Sequence, residues 1–161
     1  MASIRTPAAA VLLAAALALA GCTSAPAGDA SASATDREAV RAVTTAESSA
    51  GGRAFELESE DDEWQVHVAV GDREVEVRVS ADGGQVLASD DSDGLDADDR
   101  TALDAATTTL ADAVRIAASQ NPGGARIEEA QLESDNGVAV WQVDLEGGAN
   151  VSVSGADGSV R

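Results

Sequence analysis

Two different spacings of apolar residues alternate along this chain, and their order predicts its elements. After an unbroken apolar run at residues 8–20, the positions Ala39, Val40 and Val43 fall on one face of a helix beginning near Thr35. Gly51-Gly52 is where that helix is expected to stop, because a helix end commonly needs left-handed or unbonded backbone. The spacing then changes to two. Phe55 and Leu57 alternate with Glu56 and Glu58; Trp64, Val66, Val68 and Val70 make a second strand; Gly71-Asp72-Arg73 turns the chain and Val75, Val77 and Val79 return it. Asp82-Gly83-Gly84 is a further turn before a short strand around Val86 and Leu87.

The same order then recurs. A helix starting at Thr109, with Ala113, Val114 and Ile116 as its apolar stripe, ends near Pro122-Gly123-Gly124. Strands follow at Ala130 and Leu132, at Trp141, Val143 and Leu145, and at Val151 and Val153, with turns at Gly147-Gly148 and Asp157-Gly158 and a last apolar residue at Val160. Thr35 with Glu38, and Thr109 with Asp112, place a capping hydroxyl and an acid three residues later at each helix start. Trp-Gln-Val stands at 64–66 and again at 141–143. The fold class expected is α+β: two tandem repeats, 35–88 and 109–161, each one helix followed by an antiparallel β-meander of three or four strands. Residues 89–108 form an acidic linker between them, leading into a short helix near Thr101 to Ala106. Units this small bury only about 60% of their unfolded surface, which favours packing of the two against each other.

The N-terminus reads as an address. Arg5, the apolar run and Leu19-Ala20-Gly21-Cys22 give a charged start, an apolar middle and a small-residue cleavage site, so residues 1–21 are expected to be a cleaved signal peptide. The run is shorter than the roughly 20 residues a spanning helix needs. Leu-Ala-Gly-Cys resembles the lipobox of bacterial lipoproteins, which implies that Cys22, the only cysteine, carries the lipid. One acyl chain alone binds a membrane reversibly, whereas several anchor stably. Thr, Ser, Ala, Pro and Gly dominate residues 23–34, so the lipidated Cys22 and the rest of 22–34 are expected to form a flexible tether. The expected location is the extracytoplasmic face of a cell membrane.

Charge narrows the partners. The chain has 29 acidic residues against 10 arginines and no lysine, a net charge of −19, and loss of residues 1–21 would make it −20. Phosphate recognition needs a basic stripe, so no nucleic acid partner is expected. A surface of this sign attracts basic proteins or cations instead.

The two repeats resemble the PepSY domain: Ala-Val-Arg in both helices (39–41 and 113–115), Pro122-Gly123-Gly124, Leu57-Glu58-Ser59 and Leu132-Glu133-Ser134, the two Trp-Gln-Val strands, and the Asp82-Gly83 and Asp157-Gly158 turns. The first repeat departs by lacking the proline before its glycine pair. The resemblance implies a secreted or membrane-anchored domain, found also in metallopeptidase propeptides, with peptidase inhibition or local regulation as its proposed work. It implies no catalytic residues and no cofactor.

Little else offers chemistry. His67, the only histidine, alternates with core-facing Val66 and Val68 and is expected on the exposed face, as is Asp144 at the matching place. A general base needs a partner within reach, and lysine and tyrosine are absent, so no enzyme is expected. The run 89–94 has the look of a calcium loop, but with Gly94 at its sixth position the first is Ser89 and the twelfth Arg100, where acids are required. No metal ligands are therefore assigned. Glu60 to Glu63 reads as a charged hairpin tip, and Trp64 and Trp141 as core anchors rather than binding platforms. The expectation is a lipid-anchored, non-catalytic binding or regulatory module whose partner, a secreted peptidase or another envelope protein, docks by strand addition or charge complementarity. The alternative is a cation-binding or stress-sensing envelope protein that uses the acidic linker.

Overall fold

The computed structural model describes residues 27–161 apart from 93 and 122. Three helices, α1 (Ala27–Ala50), α2 (Ala97–Ala105) and α3 (Leu110–Ser119), accompany seven strands. These are β1 (Arg53–Glu60), β2 (Glu63–Val70), β3 (Arg73–Ser80), β4 (Val86–Asp91), β5 (Ile127–Asp135), β6 (Val138–Leu145) and β7 (Ala149–Ser154). All seven belong to one antiparallel sheet in the order β4-β3-β2-β1-β5-β6-β7, so the architecture is α+β. The two meanders therefore meet strand to strand. β1 and β5 pair through Glu56 with Gln131, Leu57 with Ala130 and Glu58 with Glu129.

The local chemistry explains these elements. Gly51 at φ 76° closes α1 by donating its N–H to the Glu47 carbonyl. Asp61 and Asp62, at φ 48° and 63°, make the tight turn that follows Glu60, as paired left-handed residues do in two-residue hairpins. The Thr109 hydroxyl accepts from the Asp112 N–H at 3.2 Å and caps α3.

On one sheet face, α1 buries Ala39, Ala42, Val43 and Ala46, and α3 buries Leu110, Ala113, Val114 and Ala117. Both sets have the spacing i, i+3, i+4, i+7. The expected stripes were off by part of a turn, since Val40 and Ile116 are only partly buried. Alanines win the central positions because they let the backbones approach the sheet closely. Below them lie Leu57, Val66, Val68, Val77 and Val79 on one side of the β1–β5 seam and Ile127, Leu132, Trp141, Val143 and Val153 on the other. Both indoles are buried and bonded: Trp64 Nε1 donates to the Ala81 carbonyl at 3.0 Å and Trp141 Nε1 to that of Thr108 at 3.1 Å.

Other sequence expectations change as well. α1 starts at Ala27, eight residues before Thr35 and inside the segment 22–34 expected as tether. Alanine is the strongest helix former and recurs through 27–34. The segment 89–108 contains the end of β4, and the short helix expected near Thr101 to Ala106 is present as α2 but starts earlier, at Ala97. Asp96 caps that helix by accepting from the Asp98 N–H at 2.8 Å, and Asp98 and Asp99 sit at its positive end. Lastly, Leu57-Glu58-Ser59 and Leu132-Glu133-Ser134 are not equivalent. Ser59, not Leu57, faces Trp64, as Leu132 faces Trp141; Leu57 faces Val66 as Ala130 faces Val143.

α2 packs against β5 and β6 on the face opposite α1 and α3. Arg53 fixes it there. Its guanidinium donates to the carbonyls of Leu103 and Ala106, both at 2.7 Å, and to that of Thr108 at 3.3 Å. The last turn of α2 has no basic residue of its own, so a cation from β1 satisfies its free carbonyls.

Candidate functional site

The sheet face left open beside α2 is where the polar side chains gather. His67, Gln65 and Ala69 lie on it, as alternation predicts, but His67 is not exposed. Its side chain is 17% accessible, and Nδ1 lies 2.5 Å from Glu74 Oε1. A β-bulge between Ala54 and Glu56 breaks the alternation and brings Phe55 to the same side, its ring centre 6.1 Å from that of His67. Phe55 was expected to share a face with Leu57; the bulge is why it does not.

Carboxylates crowd this region. Burial raises the pKa of Glu56 above the ordinary value; His67 opposes the shift, and Glu58, Glu74 and Asp99 add to it. Asp99 is raised by burial and by Asp96, Glu74 and Asp98, and Glu129 by burial and by Glu56, Glu58, Asp144 and Glu133. An acid with a raised folded-state pKa binds its proton more tightly folded than unfolded, so stability is lower above that pKa and is regained as pH falls through it. Glu56→Gln removes the charge without the bulk. Its melting temperature is expected to exceed that of the parent at pH 7, and the gap should close on acidification below the ordinary carboxylate range. A thermal melt series across pH checks this.

His67 has a carboxylate partner, but no serine, threonine or cysteine hydrogen-bonds to its ring among the described residues. Asp144, at the place matching His67, accepts from Asn150 at 2.6 Å. Among the described residues no three carboxylate or imidazole groups converge as metal ligands would. In the Asp-rich segment, Asp91 pairs with Arg73 at 2.9 Å and Asp96 caps α2. Cys22 and the signal segment 1–21 lie outside the described residues. No described helix is long and apolar enough to cross a membrane.

The two Asp-Gly turns form a matched pair. Asp82 accepts from the Ser80 hydroxyl and the Gly84 N–H, which hold its carboxyl below the ordinary value. Asp157 is lowered likewise by the Ser154 hydroxyl and by Ser159. Each glycine presses on a helix. A Cβ on Gly83 would lie 2.4 Å from the Glu38 carbonyl oxygen in α1, and one on Gly158 3.0 Å from Ile116 in α3.

The sheet has two outer rims, and they differ. On β7, Ser154 donates its N–H to the Ser159 carbonyl and the Ser152 carbonyl accepts from Arg161, so the chain's own last residues cover the rim around the Val153–Val160 bridge. β4 pairs with β3, and among the described residues no strand pairs with its other side. Sequence reasoning did not separate these rims, since only the backbone bonds of 159–161 distinguish them.

No curated protein matches the chain. A crystal structure of a candidate lipoprotein from Clostridium difficile 630 resembles it over 74% of this chain and 87% of that one, at 18% identity and a TM-score of 0.45. Residues 108–161, which comprise α3, β5, β6, β7 and the Asp157-Gly158 turn, match the family model "Peptidase propeptide and YPEB domain". The family so described is PepSY, and the match covers about a third of the chain.

Proposed function

We propose that this protein is a lipoprotein anchored through Cys22 at the extracytoplasmic face of the membrane, where it serves as a non-catalytic binding or regulatory module, with a secreted peptidase as the leading class of partner. The observation that carries the reading is the PepSY match over 108–161, whose description is that of a peptidase propeptide domain. Leu19-Ala20-Gly21-Cys22 supports the anchor.

Residues 35–88 are read as a second, diverged copy. Leu57 and Ala130 support this twice over: each faces the valine of its own Trp-Gln-Val strand, and the two pair with each other across the seam. Such a pair lies on a two-fold axis between halves. The bulges at Ala54/Glu56 and Ile127/Glu129, and the Asp-Gly turns on α1 and α3, fall at corresponding places.

Capture from an envelope extract with the full chain as bait, followed by peptidase assay of what is retained, tests the reading. A retained peptidase with reduced activity is expected, as is acylation of Cys22 by mass spectrometry with loss of membrane partitioning in Cys22→Ala. Native protein that carries no acyl group and partitions into buffer, or bait that retains nothing, overturns it.

A further inference from the structure

The outer rim of β4 has the properties of a docking edge. All six of its residues are exposed or half-buried, and Val86 and Leu87 are 39% and 48% accessible, two of the large apolar side chains left in water. The Ser92 N–H donates to the Glu74 carbonyl at 3.0 Å, which sets the phase of the ladder. In an antiparallel pair, bonded and non-bonded positions alternate, so Asp90 and Ala88 bond to β3 while Ser89 and Asp91 direct their N–H and C=O groups outward. Exposed edges are usually blunted by lysine, proline or a covering element. This chain has no lysine, and β4 has no proline. Its one irregularity is the register shift between Arg78 and Val79, which leaves Leu87 unpaired beside Val86. The rim therefore presents an apolar end, a row of backbone groups that pair with no other strand among the described residues, and an acidic end at Asp90 and at Asp91, whose carboxylate also pairs with Arg73 and is still 67% accessible.

We propose that β4 binds an extended segment of a cationic partner protein by strand addition, with Lys or Arg side chains beside Asp90 and Asp91 and an apolar residue beside Val86 and Leu87. This rests on, and specifies, the binding-module reading above. Charge complementarity selects the occupant. A chain of net charge −19 repels a second copy of itself and attracts a basic segment. Backbone bonds supply affinity without regard to sequence, and the two aspartates favour partners with positive charge at that end of the strand.

The test titrates the full chain with a blocked synthetic peptide, Thr-Lys-Val-Arg-Val-Lys-Thr. Saturable binding that weakens with added salt is expected, because screening shortens the reach of exposed charges. Methylating alternate backbone nitrogens of the peptide should weaken binding roughly tenfold or more, since several hydrogen bonds are lost at once. Ser89→Pro should do the same without lowering the melting temperature: the N–H it removes points away from β3, and proline is tolerated at such edge positions. A peptide with Glu in place of Lys and Arg should not bind. Absence of binding by the cationic peptide overturns the proposal, as does equal affinity for the methylated one, which would make the attraction one of charge alone. Sedimentation showing a dimer that Ser89→Pro returns to monomer also overturns it, assigning the rim to a second copy. The methylated peptide remains decisive if Ser89→Pro does not fold. If envelope capture retains a partner equally well with Ser89→Pro, the rim assignment fails while the binding-module reading stands; if capture retains nothing, that reading fails first.

Discussion

Gly83→Ala is expected to destabilise the protein by roughly 2–5 kcal/mol, from the left-handed backbone cost and the overpacking it forces. Gly83 sits at φ 71°, and an added methyl would lie 2.4 Å from the Glu38 carbonyl oxygen and 2.7 Å from the Ala42 nitrogen. Those are backbone atoms of α1 and cannot swing aside as a side chain would. The Thr45 hydroxyl also donates to the Gly83 carbonyl at 2.7 Å, so any retreat of the turn breaks that bond. Gly71→Ala is the control. Gly71 has a similar φ of 64° but nothing within 4 Å, so only the conformational cost of about 1–2 kcal/mol applies. Urea unfolding of both variants checks the contrast. Equal losses would mean that the Asp82-Gly83 turn does not clamp α1.

Trp141→Ala should cost about 3–5 kcal/mol, a large share of the roughly 5–15 kcal/mol that stabilises an ordinary domain. The side chain is fully buried, paired with Leu132 on one side and Val153 on the other. The Thr108 carbonyl would lose the indole as a donor but keep Arg53 at 3.3 Å, so most of the loss is from packing. The conservative Trp141→Phe should lose less and leaves Trp64 as the sole indole. Because β1 joins β5 in one sheet, Trp64 fluorescence and far-ultraviolet circular dichroism should then report one midpoint. Two separated midpoints would show that the two meanders unfold independently.

Much of this fold was legible in the sequence because its signals are local. Alternating valines gave β2 and β3, glycine pairs marked the ends of the first helix and of β6, and Thr109 capped α3 as its spacing with Asp112 implied. What was missed depends on distant partners. Nothing in Phe55 itself reveals the bulge that moves it toward His67, and the shared Leu-Glu-Ser letters outweighed a register that only cross-strand pairing fixes. The pairing of β1 with β5 joins residues more than seventy positions apart, beyond the reach of periodicity. Arg53 carries no local signal of its partners, and its place at the end of α2 follows from tertiary structure alone. Asn136-Gly137, at φ 53° and 80°, was a hairpin signal available and unused.

The unequal rims bear on how such molecules aggregate. Filaments built by joining sheets side by side need two sticky margins per subunit, one to receive and one to offer. Here Ser159 and Arg161 occupy one margin from within. Growth by that route is limited to a single added neighbour, a valence of one that keeps side-by-side assemblies finite.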